Sequence, residues 1–237
     1  MRIIIAVILF SSFIPNLLAQ DSTSVDFQTW ADFATIYHFN EKWTYSGDYG
    51  LRGIVSGEDW TKIYARPTVR YRISPSSDTR GSLGLFYTRD PQLIWQLEIR
   101  FAQEINLKWP NIPGLAFNHK LRIEERFFLY AENDNTLSVR ARYHFDLETP
   151  DFKVFNIPGS FFGLAGLQLF ISLGDQATEK YINKYRLLGG LGYRPGPKFK
   201  YEVIYIRQNS YYYEVDGYIT DTDIFRVRVS LNLNVLP

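Results

Sequence analysis

The chain has 237 residues and no cysteine, which excludes a disulfide scaffold, thiol chemistry and zinc–thiolate sites. Its length suits one large domain or a single barrel. Aromatic residues reach 17%, chiefly Tyr and Phe, a bias that favours strands, and a net charge of +1 selects no class of partner until the charges are placed by face.

The first segment reads as a targeting signal. Arg2 precedes apolar Ile3–Phe10, and Phe13–Ala19 continues past Pro15. This run is too short and too interrupted for a membrane-spanning helix. Cleavage is expected near Ala19–Gln20, giving a signal peptide over 1–19 and one domain over 20–237. No cysteine follows the apolar run, so a lipid-modified amino terminus is excluded. No later run approaches the roughly 18–20 apolar residues a spanning helix needs. Entry into a membrane would have to be by strands.

Beyond the signal the pattern has period two. Phe27–Phe39 and Lys42–Ile54 read as strands, followed by the turn cluster Ser56–Asp59. In Lys62–Ile73, Ile63, Ala65, Pro67, Val69 and Tyr71 alternate with Lys62, Tyr64, Arg66, Thr68, Arg70 and Arg72. A helix would scatter such residues around its circumference. After Ser74–Asp78 come Ser82–Thr88 and Leu93–Leu107. Pro110–Gly114 then turns the chain into Leu115–Tyr130, and Glu132–Asn135 into Leu137–Phe145. Glu148–Gly159 reads either as a long turn or as a poorly patterned strand. Phe161–Leu173, Tyr181–Arg194 and Lys198–Gln208 follow, the last two joined by Pro195–Pro197. Asn209–Asp223 reads as a long external loop, and Phe225–Val235 as the last strand.

That parse has eleven segments. Single-chain bacterial barrels normally have an even number, so one segment has been missed or split, and the expected fold is all-β: an antiparallel up-and-down transmembrane β-barrel of twelve strands, with ten the alternative. A soluble sandwich or lipocalin-like barrel shows the same alternation. Strands so many and so long, however, enclose an interior too wide for one dry layer of side chains. Trp43, Trp60, Trp109, Tyr130, Tyr193 and Tyr201, near strand ends, suit aromatic girdles at a lipid interface. The short Pro-containing turns would face the periplasm. The expected location is the outer membrane of a Gram-negative bacterium, with outer-membrane lipid as the surroundings and the barrel-assembly machinery as a partner in biogenesis.

Three stretches carry a family resemblance: Trp95–Arg100, Asn118–Phe127 and Arg140–Tyr143, with Gly189–Tyr193 fitting as well. They resemble the exported family known as domain of unknown function 2490, across nearly the whole mature chain. The resemblance implies an outer-membrane barrel and no established activity.

Placed by face, the polar positions hold Arg52, Lys62, Arg66, Arg70, Arg72, Arg100, Lys120, Arg122, Arg126, Arg140, Arg142, Arg186, Arg226 and Arg228. Fewer acids accompany them: Asp48, Glu98, Glu104, Glu124, Asp146 and Glu202. The expected lumen site is Arg70, Arg72, Glu98, Arg100, Arg122, Glu124, Arg126, Arg140 and Arg142. Its plain reading is a structural network of cross-strand pairs. Its sharper reading is a narrow anion-leaning channel that admits a small anionic solute. The alternatives are a structural or adhesive barrel with a plugged interior, or a lipid-modifying enzyme. An enzyme is not expected: no Gly-x-Ser-x-Gly motif occurs, and none of His38, His119 and His144 has a serine two residues on. His119 and Glu125 share the apolar face, a pair read as interfacial rather than catalytic. No metal site, cofactor or phosphate loop is expected, and arginines alternating on exported strands argue against nucleic acid.

Overall fold

In this computed structural model, residues 25–54, 60–89, 95–131, 134–173, 183–212 and 217–234 are described. The proposed signal peptide lies outside them. Eleven strands follow one another: β1 (Asp26–His38), β2 (Trp43–Ile54), β3 (Thr61–Ser74), β4 (Ser77–Arg89), β5 (Gln96–Ile112), β6 (Leu115–Tyr130), β7 (Thr136–Glu148), β8 (Ser160–Leu173), β9 (Asn183–Arg194), β10 (Phe199–Tyr212) and β11 (Gly217–Asn232). Each pairs antiparallel with the next, and β1 closes the barrel by pairing parallel with β11.

The all-β barrel agrees with the alternation; the strand number corrects the expectation of twelve or ten. An odd count closes because the seam is parallel, as Asp26↔Thr222 through Ile36↔Asn232 run in register. The stretch 149–159, read from sequence as a long turn or a poorly patterned strand, contributes a single bridge, Phe152↔Phe161. It is a turn tied down by polar contacts. Arg194 reaches Glu148 at 2.6 Å and also binds Asp151, while the Tyr193 hydroxyl donates to the Pro158 carbonyl at 2.7 Å. Gly159 ends it at a φ of +90°, where the Arg194 carbonyl leaves no room for a Cβ.

The expected external loop over Asn209–Asp223 is also corrected, since β10 runs to Tyr212 and β11 starts at Gly217. Here strand pairing is cemented by polar side chains instead of apolar alternation. The Thr220 hydroxyl donates to Asn209 Oδ1 at 2.7 Å and Ser210 to Asp221 at 2.7 Å, beyond a bulge at Gln208/Asn209. Similarly, Ser77 and Asp78 belong to β4 rather than to the turn before it.

Burial is inverted with respect to a water-soluble domain. On β5, Leu97 and Ile99 face out with exposed Phe101, Ile105 and Leu107, while Glu98, Arg100, Glu104 and Asn106 are buried inside. The same parity runs round the barrel, from Phe33 on β1 to Phe225 and Val227 on β11. Outer aromatics cluster at the rim that carries the 39–42, 75–76, 113–114, 149–159 and 195–198 turns, hereafter the turn rim. Trp43 packs on Tyr71 at 4.8 Å and Phe161 on Tyr193 at 4.8 Å, with Tyr201 next to Tyr193. Two of the expected girdle residues do not join them: Tyr130 stacks on the inward Phe128, and Trp60 lies against Lys62.

Candidate functional site: a basic lumen

Arginine dominates the inner wall, and cross-strand register sets arginines directly opposite one another: Arg100↔Arg126 and Arg122↔Arg142. Like charges so placed repel. A carboxylate on an adjacent position resolves each pair. Glu98 takes Arg100 at 2.6 Å and Arg126 at 2.8 Å. Glu124, with no exposed surface, collects four guanidinium groups: Arg140 at 2.6 Å, Arg142 at 2.9 Å, Arg122 at 3.5 Å and Arg100 at 3.7 Å. Glu104 extends the chain of pairs to Arg122 at 2.5 Å and Arg80 at 3.6 Å. Across the barrel, Asp32 binds Arg226 and accepts the Tyr64 hydroxyl at 2.8 Å, while Asp48 binds Arg66 and lies 3.7 Å from Arg228. Sharing one carboxylate among several arginines satisfies many donors with few acids.

Aromatic rings fill the gaps between these ions. Arg52 lies over Trp30 at 4.0 Å and over Tyr64 at 4.6 Å. Tyr64 stacks on Phe86, which carries Arg100 at 4.1 Å. Arg100 leads through Glu124 to Arg142, Arg142 to Phe170 at 4.4 Å, and Phe170 to Arg186 at 4.9 Å. Arg186 returns to Trp30 at 5.2 Å. The circuit closes on itself round the lumen. Its rings are almost inaccessible to water (Trp30 6%, Tyr64 3%, Phe86 2%, Phe170 4%), so side chains occupy this level. Ile204, Ile206 and Ile224 pack with Trp30 in the same layer.

A cavity of about 830 Å³ runs along the lumen, lined by Lys62, Arg126 and Lys184 on one side of the circuit, by the edges of Trp30, Phe86 and Phe170 within it, and by Gly196, Pro197 and Lys198 at the turn rim. Its wall carries eighteen Lys and Arg but five Asp and Glu. With the carboxylates of Asp32, Asp78, Glu98 and Glu124 buried behind that wall, cations remain twofold in excess. Such an interior concentrates anions.

Of the residues expected from sequence, Glu98, Arg100, Arg122, Glu124, Arg126, Arg140 and Arg142 form one connected cluster. Arg70 lies apart on the cavity wall and donates to the Thr44 hydroxyl at 2.7 Å. Arg72 is a correction: beside the Pro75–Ser76 turn it is exposed and does not line the cavity. Sequence reasoning missed Asp32, Arg80 and the rings of Trp30, Tyr64, Phe86 and Phe170. The signal was present, because Trp30, Tyr64 and Phe86 have the parity of the inward charged residues on their own strands, and Phe170 has the parity of Gln168 on β8, a strand without charges.

The histidines are dispersed. His38 Nδ1 lies 3.0 Å from the Thr44 hydroxyl, and His144 is buried in the lumen wall. His119 faces out, hydrogen-bonded to the Tyr143 hydroxyl and to the Trp109 carbonyl, each at 2.7 Å. Glu125, six residues along the same extended strand, is about 20 Å away. The two are not brought together.

Residues 27–217 match the model of a family described as protein of unknown function (DUF2490). No curated protein matches the chain.

Proposed function

We propose that this chain, which belongs to the DUF2490 family, is an outer-membrane β-barrel whose lumen receives small anionic solutes in a basic pocket closed at one end. One observation carries the reading: the charged groups are inside with cations in excess, and the large apolar side chains are outside. Soluble monomers rarely expose contiguous apolar patches beyond a few hundred Å². A belt running round eleven strands is matched to hydrocarbon instead. The amino-terminal signal expected from sequence agrees with export.

The cation–aromatic circuit favours a pocket over a through-passage. Because short turns face the periplasm in bacterial barrels, the mouth at the turn rim would open there. A narrow anion-selective channel is the second reading. It is favoured by cations along the whole lumen, from Lys198 and Lys200 at the mouth, through Arg52 and Arg186 in the circuit, to Lys62 and Lys184 beyond it.

Cell fractionation followed by heat-modifiable gel migration tests location, and planar-bilayer recording tests the lumen. The pocket predicts outer-membrane recovery, faster migration of the unheated protein and no steady conductance. Anion-selective conductance would favour the channel. Recovery in the soluble periplasmic fraction, or a cation-selective current, would overturn both.

A further inference from the structure

One arginine pair in the lumen lacks the carboxylate bridge that the others have. Arg70 and Arg80 are direct cross-strand partners, as Arg100 and Arg126 or Arg122 and Arg142 are. In those two cases Glu98 or Glu124 binds both members. Arg80 is satisfied by Asp78 at 2.9 Å and approaches Glu104 at 3.6 Å. Arg70 has no ion pair among the described residues. Its one hydrogen bond goes to the neutral Thr44 hydroxyl, and its Nε is buried with no acceptor. Arg52 and Lys62 are likewise an unbridged pair on the cavity wall, but the Arg52 guanidinium is covered by the Trp30 and Tyr64 rings, whereas Arg70 has no such ring contact among the described residues.

A guanidinium in a partly dehydrated wall, next to a like charge and with a buried donor unused, is a poor structural element and a good anion receptor. Around it the cavity wall supplies His38, Thr44, Thr68 and Arg80. The facing charged groups are Arg72, Arg80 and Asp78, and Asp78 is already engaged by Arg80 and by Asn106 at 2.7 Å. The position lies on the mouth side of the circuit, open to a solute entering from the turn rim.

We infer that Arg70, Arg80 and Thr44 form an oxyanion-binding subsite in which the carboxylate or phosphate group of a small solute bridges the two arginines. The inference rests on the pocket reading above and names the place and the chemistry of its ligand. A planar carboxylate or a phosphate face matches the fork of one guanidinium while its remaining oxygen turns to the other.

The full barrel, purified in detergent, would be titrated calorimetrically with inorganic phosphate and, separately, with acetate. Binding of either by the wild type is expected, and the tighter probe identifies the recognised group. Arg70→Met should weaken it at least tenfold and Thr44→Val a few-fold, while Arg89→Met, exposed at the other end of β4 and outside the cavity lining, should leave it unchanged. A second measurement guards against misfolding. Without added anion, Arg70→Met should unfold at the wild-type temperature or higher, because it removes a cation that has no ion pair among the described residues and lies beside Arg80. If the wild type binds neither probe, the pocket reading fails and this inference with it. If the wild type binds but Arg70→Met and Arg80→Met bind equally well, the subsite is wrong and the pocket stands. A sharp loss of stability in Arg70→Met would assign Arg70 to the structural network and also overturn the subsite.

Discussion

Glu124 offers the severest test of how the interior is held together. The substitution Glu124→Gln keeps the side chain's size and one oxygen but removes the charge shared by Arg100, Arg122, Arg140 and Arg142. At an effective dielectric constant near 20, contacts of this length have gross attractions of about 4–6 kcal/mol each. Desolvation of the ions offsets most of that sum, and the measured loss on breaking a buried pair is about 3–5 kcal/mol. Glu124 is buried completely and serves four partners, so the upper part of that range is expected. The internal control is Asp146→Asn. Asp146 binds Lys120 at 2.6 Å, but both side chains are about a quarter to a third exposed, and the loss should stay below about 1 kcal/mol. Urea unfolding in micelles, followed by tryptophan fluorescence and by the folded-to-unfolded shift on unheated gels, gives both values. If Glu124→Gln unfolds within about 1 kcal/mol of the wild type, the argument that this carboxylate offsets arginine repulsion is refuted. Equal losses for the two variants would refute it as well.

Glu125 is an exposed charged residue on the outer face with no ion pair among the described residues; Ile123 and Phe127 lie beside it on β6 and Phe101 and Val139 opposite. Glu125→Leu should stabilise the barrel in lipid vesicles by about 1–2 kcal/mol, and no gain there would put the residue outside the hydrocarbon. Trp30→Ala removes the ring shared by Arg52 and Arg186. It should create anion-selective current in planar bilayers, whereas a silent variant would mean that the remaining layer seals the lumen unaided. Asp32→Asn leaves Arg226 without its buried counter-ion, and a loss of about 3 kcal/mol in the urea assay is expected. A loss below about 1 kcal/mol would make that pair incidental to closure.

Period-two alternation made the strands legible, because one apolar and one charged face per strand leaves a mark at every residue. It failed where polar side chains pair with each other across strands, as Asn209 with Thr220 and Ser210 with Asp221 do. The twelfth strand was inferred from a parity rule that a parallel seam evades. No local pattern announces such a seam, since its register is settled by residues at the two extremes of the chain. In the lumen, charge on the right parity identified the arginine–glutamate cluster. The circuit was harder to see because Trp30, Phe86 and Phe170 count as apolar in any pattern, although they sit on the charged side. Arg72 had the right parity but the wrong height, and height comes from cross-strand register, which one strand read alone does not contain.

The parallel seam makes barrel closure an event of a different kind from everything before it. Ten of the eleven strand pairings join neighbours in sequence and can form as hairpins, one after another. The last brings Asp32 to Arg226 across a sequence separation of 194, while Asn234 clasps the His38 backbone from both sides at 2.7 Å. Until then β1 and β11 are two unpaired edges, open to any strand of matching pattern. In each copy, β11 can therefore be completed by its own β1 or by the β1 of a neighbour. The buried ion pair and the Asn234 clasp are what such a domain-swapped partner would have to reproduce.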